Sequence, residues 1–519
     1  MGQRRPLGVQ DEFWLEMDRP NNLMVVDSVF WTADPLDWDQ VRDVYQERWI
    51  GRYPVFRSRA VKDDGSWWWE EDEQFCFDDH VTRVNLDDPD DPRELHRLLA
   101  EHRTVPLDRD KPLWYLLWVE RYRDGSAVVM RSHHAIADGI RMVELAMTLF
   151  DGSADGASVL VPAVITKRAR PEEPAKTGME RLRAVGNEVL AHASGVGQVA
   201  GDARRGAREL AGRVPAAMGE AASLARALNV VGAGHTLATE SAALTREAVD
   251  AARASIAAAF PRGDTALNVF SAAPSELDAL RKIVLGTRND PTLWTGTAST
   301  EKGVAWADPL SLASIREVAK ANQATINDVL CTCLAVTLRD YLTSHGAHCG
   351  SVTFMVPVNL RPLDPSLPDE LGNGFALVEL ELPTDEPDPM RVLSTVKRRM
   401  SRIKHGHEAF IDFRIQEGVS HLGHRLYEMV IDLFANRNAG VLTNVPGPPM
   451  PVYLAGSRVE GIVGWAPVSG DQPMSVTIYS YDGKVLIGIA CDSVLVPGYD
   501  AIVEGFAPAF ADLRSRSGL

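Results

Sequence analysis

The chain has 519 residues, of which 45% are hydrophobic and 24% are charged, the balance of an ordinary globular protein. Its length exceeds what one hydrophobic core usually supports, so two domains are expected. The formal net charge of −17 argues against nucleic acid as a partner. No run of about 18 apolar residues occurs, which argues against a membrane span.

The cysteines and the first residues are typical of a cytoplasmic protein. The 5 cysteines are scattered and odd in number, which favours reduced thiols over a disulfide framework. The opening MGQRRPLG lacks the apolar core of a secretory signal. Pro6 also stands where a myristoylation signal needs Ser or Thr. We therefore expect a cytoplasmic location.

The first 160 residues show alternating helix and strand patterns. The predicted helices span 10–17, 37–50 and 92–102, and the predicted strands span 21–30, 115–120 and 126–130. The run Arg123-Asp124-Gly125 between the last two strands indicates a hairpin. Three consecutive tryptophans, Trp67 to Trp69, indicate a strand with aromatic packing on both faces rather than a groove.

Residues 131–139, RSHHAIADG, carry the strongest chemical pattern in the chain. They follow a predicted strand and precede a helix-like run from 140 to 150, so a side chain there can be held at a sheet edge and reach a cavity. A histidine can take up a proton and return it in one turnover, because its unperturbed pKa lies near neutral pH. The pattern indicates a catalytic site that contains His133, His134, Asp138 and Gly139. Gly139 is expected to allow backbone angles or close approaches that a Cβ would block.

This segment has two other interpretations. A histidine with a carboxylate four residues later is also common as a structural pair. A metal site is disfavoured, because the adjacent His133 and His134 would point to opposite faces of a strand. In addition, no cysteine or second histidine pair lies at ligand spacing.

The character of the sequence changes after residue 160. Prolines interrupt the chain, and a long stretch rich in Ala, Arg and Glu follows with apolar residues at helical intervals. We interpret residues 161–265 as a helical connector between an N-terminal domain, 1–160, and a C-terminal domain, 266–519. An amphipathic connector of this kind is compatible with a solvated bridge and with contact at a membrane surface.

The C-terminal part shows a second mixed α/β pattern. The predicted helices span 310–321, 325–341, 392–403 and 497–513, and the predicted strands span 351–361, 375–382, 441–449, 475–481 and 484–491. Asp482-Gly483 between the last two strands is a strong hairpin pattern. Only the first half carries the double histidine, so any repeat of the fold is structural and not catalytic.

Several motifs in this order resemble the bacterial wax ester synthase/acyl-CoA:diacylglycerol acyltransferase family of CoA-dependent acyltransferases. The matching segments are Asp11-Glu12-Phe13, Asn22-Leu23-Met24, Pro112-Leu113-Trp114, the HHAIADG turn, Asn327-Asp328, Pro357 to Arg361, Gly372-Asn373 and Asn444 to Pro448. The double-histidine motif alone also fits chloramphenicol acetyltransferases and peptide-synthetase condensation domains. The other motifs narrow the resemblance to the wax ester and triacylglycerol group.

The resemblance implies an α/β fold with mixed sheets, in which two chloramphenicol-acetyltransferase-like domains enclose an active-site tunnel. It implies long-chain acyl-CoA as one substrate and diacylglycerol or a long-chain alcohol as the other. No cofactor is expected, since acyl-CoA is a co-substrate. A peripheral contact with the inner membrane face or with lipid droplets is compatible with these substrates.

The resemblance also suggests roles for individual residues. His134 would act as base and then as acid, with His133 as a support. Asp138 would form a structural ion pair with Arg361. Thr443 and Asn444 are candidate donors to the oxyanion.

Two further motifs have a structural alternative beside the family role. The resemblance places Pro112, Leu113 and Trp114 on the wall of the acyl tunnel, whereas Trp114 alone suits core packing equally well. Asn327 and Asp328 are important in the family, and equally suit a helix N-terminus, where they would satisfy free backbone N–H groups.

Two rival functions remain open from the sequence. The first is transfer from a carrier-protein thioester to a polyketide or peptide acceptor by the same turn. The second is a lipid-binding protein with an idle site.

Overall fold

The computed structural model describes residues 4–156, 292–359, 371, 375–405 and 435–519. Within them lie two large β-sheets, a small three-stranded sheet and the helices that pack on them. The predicted α/β class with mixed sheets is confirmed.

The first half contains seven strands and four helices in its described part. The strands are β1 (Arg4–Pro6), β2 (Val25–Thr32), β3 (Ser58–Asp63), β4 (Ser66–Glu71), β5 (Val81–Val84), β6 (Trp114–Tyr122) and β7 (Gly125–His133). The helices are α1 (Val9–Glu16), α2 (Trp38–Tyr45), α3 (Pro92–His102) and α4 (Gly139–Met147), with a π-turn at Gln46–Ile50 and 3₁₀ turns at Pro54–Arg57 and Phe77–His80. Each helix and strand predicted here is present, and β1, β3 and β5 are additions.

The second half has nine strands and five helices in its described part. The strands are β8 (Lys302–Trp306), β9 (Leu310–Ser311), β10 (Ser351–Asn359), β11 (Phe375–Pro383), β12 (Gly440–Pro446), β13 (Tyr453–Leu454), β14 (Ser457–Trp465), β15 (Met474–Tyr481) and β16 (Lys484–Asp492). The helices are α5 (Leu312–Ala321), α6 (Ile326–Ser344), α7 (Pro389–His405), α8 (Asp500–Glu504) and α9 (Phe506–Arg516). The single helix predicted at 497–513 is thus divided into two at Gly505.

The first sheet has the strand order β13-β14-β2-β7-β6-β5. β7 lies in its middle, antiparallel to both β2 and β6, and its last residue, His133, pairs with Val25. A buried ion pair ties the two strands together, because Arg131 Nε lies 2.9 Å from Asp27 Oδ1. The strand that leads into the HHAIADG turn is therefore fixed by a hydrogen-bonded strand on each side and by this ion pair.

The second sheet has the strand order β11-β10-β12-β15-β16-β8, with β9 paired to β16. β15 and β16 form the hairpin predicted from Asp482-Gly483, and both residues have positive φ, 45° and 72°. These values are those of a type I′ turn, whose twist matches that of the strands. A core of its own supports this sheet and includes the buried face of α6.

One segment of the second half belongs to the first sheet. After β12 the chain crosses over, forms β13 and β14 beside β2, and returns to the second sheet as β15. Gly461 permits the crossing, because a Cβ there would stand 2.0 Å from the Trp31 ring. The predicted domain limits at 160 and 265 stay predictions, since the connector 161–265 lies outside the described residues.

A shared core joins the two sheets. Trp31 of β2 stacks on Trp306 of β8 with ring centroids 5.7 Å apart, and His96 of α3 lies 3.8 Å from the same Trp306 ring. Apolar residues of both halves are buried around them. None of the helices in the described ranges has the length and hydropathy that a membrane crossing requires.

Candidate active site

A cavity of about 210 Å³ lies between the two sheets, at the position predicted for the tunnel. Its volume is more than ten times the roughly 10–15 Å³ that one water molecule needs. Strands β2, β7 and β14 and helix α4 line it from the first sheet, and strands β10, β11, β12 and β15 from the second. His134, Asp138, Gly139, Thr443 and Asn444 are all among its lining residues.

His134 stands directly after β7, and its ring lines the cavity. Its backbone N–H donates to the Met24 carbonyl over 2.8 Å, so the residue is fixed to the segment that leads into β2. Only 5% of His134 is accessible to solvent. The turn thus presents one largely buried imidazole to the cavity.

The indole of Trp14 covers the His134 ring. Their centroids are 4.1 Å apart and their planes are inclined by 32°. Trp14 belongs to α1 and also lines the cavity. The imidazole therefore has an aromatic face as its neighbour on one side.

His133 points away from this ring and into a polar contact behind the turn. Its Nδ1 accepts a hydrogen bond from the Ala135 backbone N–H at 3.1 Å, which places the proton of the neutral ring on Nε2. Nε2 then donates to Asp18 Oδ2 over 3.3 Å. Asp18 also accepts from Arg109 and from the backbone N–H of Met24. The supporting position predicted for His133 agrees with this geometry.

Burial and charge set the ionisation of this buried pair. Desolvation lowers the pKa of His133, and the Asp18 hydrogen bond opposes this only in part. For Asp18, burial acts to raise the pKa, but the hydrogen bonds from His133 and from the Met24 backbone and the nearby Arg109 leave the pKa below its ordinary value. At neutral pH the arrangement is a carboxylate held by a neutral imidazole and a guanidinium.

Asp138 begins α4 as its N-cap. Its Oδ1 accepts a hydrogen bond from the Arg141 backbone N–H at 2.9 Å, which satisfies a free donor of the first helical turn. The residue is buried, with 4% of its surface accessible. Its predicted partner, Arg361, lies outside the described residues, so that ion pair stays a prediction.

Gly139 does not have the constraint expected from its sequence position. Its φ is not positive, and no described atom lies within 4 Å of where a Cβ would stand. The expectation of an unusual backbone angle or a close approach is therefore wrong for the described surroundings. At the first position of α4 the glycine simply leaves space at the cavity wall.

The second sheet contributes polar groups on the opposite side of the cavity. Thr443 and Asn444 of β12 line it, and the Thr443 hydroxyl shares a hydrogen bond with that of Thr477. Asn444 Nδ2 donates to Asn327 Oδ1 over 2.7 Å, which links β12 to the first turn of α6. Asn327 therefore supports Asn444 without lining the cavity itself.

Asp328 has the helix-capping role that the sequence left open. Its Oδ2 accepts from the Thr325 backbone N–H at 2.7 Å, and its own N–H donates to the Thr325 hydroxyl at 3.2 Å. The two residues form a capping box at the start of α6. Asp328 is thus a structural residue at one end of a buried helix.

Comparison with known proteins identifies the family of this chain. The model of the wax ester synthase/diacylglycerol acyltransferase catalytic domain matches residues 7–261, and the model of the WS/DGAT C-terminal domain matches residues 371–514. Together the two matches cover most of the chain. The chain belongs to the WS/DGAT family. It is therefore an acyltransferase, as the sequence motifs predict.

Curated relatives in this family match over nearly the whole length. The O-acyltransferase WSD of Acinetobacter baylyi is 23% identical over 503 residues, which covers 95% of this chain and 93% of the relative. A Mycobacterium tuberculosis protein assigned by name to the diacylglycerol O-acyltransferases is 25% identical over 498 residues, with 92% and 89% covered.

Solved structures show the same fold. The wax ester synthase/diacylglycerol acyltransferase from Marinobacter aquaeolei VT8 superposes with a TM-score of 0.62 at 17% identity, covering 99% of this chain and 100% of the other. The first condensation domain of the calcium-dependent antibiotic synthetase gives a TM-score of 0.52 at 16% identity, covering 100% and 97%. The predicted architecture of two chloramphenicol-acetyltransferase-like halves is confirmed.

The Pro112-Leu113-Trp114 motif packs in the core instead of facing the described cavity. Leu113 and Trp114 are buried, and the Trp114 indole donates to the Phe56 carbonyl over 2.7 Å. None of the three lines the cavity, so the tunnel-wall role expected for them is not seen there. The motif supports the turn instead, since the His133 N–H donates to the Leu113 carbonyl at 2.9 Å.

Three residues at this site were not predicted from the sequence. Trp14, Asp18 and Arg109 reach the turn from segments far along the chain. The aromatic residue in a short acidic helix was visible in the sequence, but nothing local indicated which ring it would cover. The family motifs of the opening segment, Asp11 to Phe13 and Asn22 to Met24, lie on either side of Trp14 and Asp18 and do not include them.

Proposed function

We propose that this WS/DGAT acyltransferase moves a long-chain acyl group from acyl-CoA to the hydroxyl of diacylglycerol or of a long-chain alcohol. In this proposal His134 is the base that takes the hydroxyl proton. The observation that supports the proposal is that His134, itself buried, lines a mostly apolar cavity between the two sheets.

The lining suits an acyl chain. Its larger side chains include Met24, Phe30, Met130, Met142, Phe150 and Ile462. Methionines adapt their shape to an irregular apolar ligand, and burying methylene groups is favourable in proportion to the area removed from water. A cavity of this composition favours a long hydrocarbon chain over a short or charged acyl group.

His134 is the lining residue suited to proton transfer near neutral pH. The other ionisable side chains in the described lining are Asp138, Tyr45 and Tyr479. Asp138 caps α4, and burial raises the pKa of both tyrosines above their ordinary value. An imidazole can accept and return a proton in this pH range.

The proposed reaction has two proton transfers and one intermediate. Neutral His134 accepts the proton of the acceptor hydroxyl. At the same time the hydroxyl oxygen of the acceptor attacks the thioester carbonyl carbon, and a tetrahedral oxyanion forms. The intermediate collapses, the carbon–sulfur bond breaks, and the imidazolium returns the proton to the CoA thiolate. An ester and free CoA leave, and no acyl-enzyme forms, since holding both substrates together supplies much of the rate gain.

Thr443 and Asn444 are the proposed donors to the oxyanion. Both line the cavity on the sheet opposite the histidine, and Asn444 is held by Asn327. Preorganised donors of this kind stabilise charge as it develops in the transition state. Since the histidine supplies the proton chemistry, we propose that acyl-CoA and the acceptor suffice without a cofactor, and that EDTA leaves turnover unchanged.

The decisive experiment identifies the lipid formed. The purified protein is incubated with palmitoyl-CoA and either hexadecanol or dioleoylglycerol, and products are identified by mass spectrometry while CoA thiol release is followed. Formation of palmityl palmitate or a triacylglycerol supports the proposal. Thiol release without an ester, or no turnover with either acceptor, contradicts it.

The same assay tests the rival functions. Family membership favours free acyl-CoA as donor over a carrier-protein thioester. Turnover only with a carrier-bound acyl group would reverse that preference, and lipid binding without CoA release would indicate an idle site. Because the acceptors are lipids, we expect the enzyme to meet them at a membrane or droplet surface, which flotation with lipid vesicles can test.

A further inference from the structure

We propose that Trp14 is a positioning residue that acts through His134: its indole face fixes the imidazole and stabilises the imidazolium that forms during acyl transfer. The inference rests on the proposed function, because it concerns the charged state of the proposed base. It adds a role for a residue of α1, an element outside the HHAIADG turn.

The first support is geometric. The two ring centroids are 4.1 Å apart, well within the roughly 6 Å over which a cation interacts with an aromatic face. The inclination of 32° keeps the faces largely opposed rather than edge to face. Trp14 also lines the same cavity, so the stacked pair stands where the substrates would meet.

The second support is the way α1 is attached to the turn. Leu15, the next residue, is buried in the core of the first half. Asp18, just beyond the helix, bonds to His133 and to the Met24 backbone. Met24 in turn holds the His134 backbone. The indole and the imidazole are thus fixed relative to one another through both helix and strand.

The third support is electrostatic. The face of an indole carries negative potential, and among aromatic side chains it attracts cations most strongly. His134 is neutral before the reaction and positive after it has taken the hydroxyl proton. The attraction is therefore larger in the charged intermediate than in the resting state, and only such differential stabilisation accelerates the step. Low solvent access strengthens the effect, because little water screens the charge.

Other ionisable groups surround the ring and must be held constant. Asp138 and the two tyrosines Tyr45 and Tyr479 line the same cavity, and the hydrogen-bonded His133 and Asp18 lie behind the turn. All of them remain when Trp14 alone is replaced. A shift in the titration of His134 on that replacement therefore reports the indole.

The test uses Trp14→Leu and Trp14→Phe in the full chain, with Phe30→Leu as a matched control. Phe30 lines the same cavity, and its ring packs edge to face on Phe150 at 5.3 Å. Two quantities are measured: the pH dependence of kcat/KM, and the titration of His134 by NMR after labelling the histidine Cε1. The His134 resonance among the 13 histidines is identified by its loss in His134→Gln.

We expect Trp14→Leu to weaken proton binding by His134 roughly 2- to 30-fold and to lower kcat by a similar factor. The acidic limb of the kcat/KM profile then moves to lower pH, and Trp14→Phe gives an intermediate shift. Phe30→Leu changes KM or turnover by altering the cavity but leaves the limb and the NMR titration in place.

The possible outcomes distinguish the proposed role of Trp14 from the proposed acyltransferase function. If Trp14→Leu leaves the NMR titration of His134 unchanged, or if Phe30→Leu shifts it equally, the inference is overturned while the acyltransferase proposal stands. If His134→Gln retains full turnover, the assignment of the base fails, whatever Trp14 does. A shift confined to the Trp14 variants, in an enzyme that His134→Gln inactivates, supports both.

Discussion

In both halves of the molecule an aspartate caps the first turn of a helix, but the segments in front of the two helices differ. Asp138 caps α4 in the first half, and Asp328 closes the capping box of α6 in the second. Before α4 stands a turn that follows the central strand β7 and carries two histidines. Helix α6 instead follows another helix, and its own first turn carries Asn327.

The difference shows where the chemistry of this fold resides. A cap satisfies backbone donors in both halves, but only the turn after β7 is held by a sheet on two sides. That turn presents an imidazole to the cavity, whereas Asn327 in the first turn of α6 holds the Asn444 side chain on the opposite side of the cavity. The shared framework alone does not determine function, and in the proposed mechanism the side chains placed beside the cap determine it.

The sharpest way to test this contrast is to remove the proposed base. His134→Ala should lower kcat roughly 10²- to 10⁴-fold, the usual contribution of a positioned general base, while the fold stays intact. Steady-state CoA release and a circular dichroism melt measure the two quantities. Asn327→Ala is the counterpart in the other half and should lower turnover far less. Equal losses in the two variants would contradict the division of roles.

Removing the carboxylate behind the turn should give the next largest effect. Asp18→Ala frees His133 Nε2 and the Met24 backbone, and a displacement of about 1 Å at the reacting group can cost on the order of 10²-fold in rate. The loss should appear in kcat more than in KM. The matched control is Glu16→Ala, which breaks the 2.6 Å ion pair with Lys62 and a hydrogen bond from the Trp67 indole but leaves the His133–Asp18 hydrogen bond in place.

The same pair also affects stability in acid. The folded-state pKa of Asp18 lies below its ordinary value, so its contribution is complete at neutral pH. It is lost only as the pH falls below about 4 toward the lowered pKa. Urea titrations of wild type and Asp18→Ala should therefore converge in strong acid. A constant difference down to pH 2 would contradict this account.

Removing each of the two capping aspartates compares the halves directly. Asp138→Ala and Asp328→Ala each remove a capping side chain and should each cost about 1 kcal/mol of unfolding free energy, within a range of roughly 0.5–2. If Arg361 pairs with Asp138, that variant should lose more, on the order of 3–5 kcal/mol. Only Asp138→Ala should also lower kcat strongly, because it shifts the turn that carries His134. Thermal melts and turnover, measured on the same samples, decide between these outcomes.

The smallest expected effect is on stability and concerns His96, which lies where the two halves join. Burial against Trp306 lowers the pKa of His96 to about 4, and its Nε2 has no hydrogen-bond partner in the described ranges. The unfolded chain therefore binds this proton first as the pH falls, and stability declines from about pH 6.5 toward 4. His96→Phe keeps the stacking and should flatten that decline. An unchanged decline in His96→Phe would contradict this account.

Much of the local structure followed from the sequence. Residues 92–102 have apolar side chains at helical spacing, and α3 occupies that range. Asp482-Gly483 predicted the β15–β16 hairpin, because few residues other than Gly, Asn and Asp accept positive φ. The HHAIADG pattern between strand and helix, together with the accompanying motifs, was sufficient to identify the family. These features depend on residues only a few positions apart.

Only the tertiary structure decided which distant side chains meet at the turn. Asp18 and His133 are 115 positions apart, and β14 leaves its own half to pair with β2. The Pro-Leu-Trp motif packs in the core, and Trp14 covers the imidazole. Local periodicity predicts which face of a helix or strand is apolar, but it does not predict which other helix or strand will pack on that face. The partner is chosen when the whole chain buries its apolar surface and satisfies its buried polar groups at once.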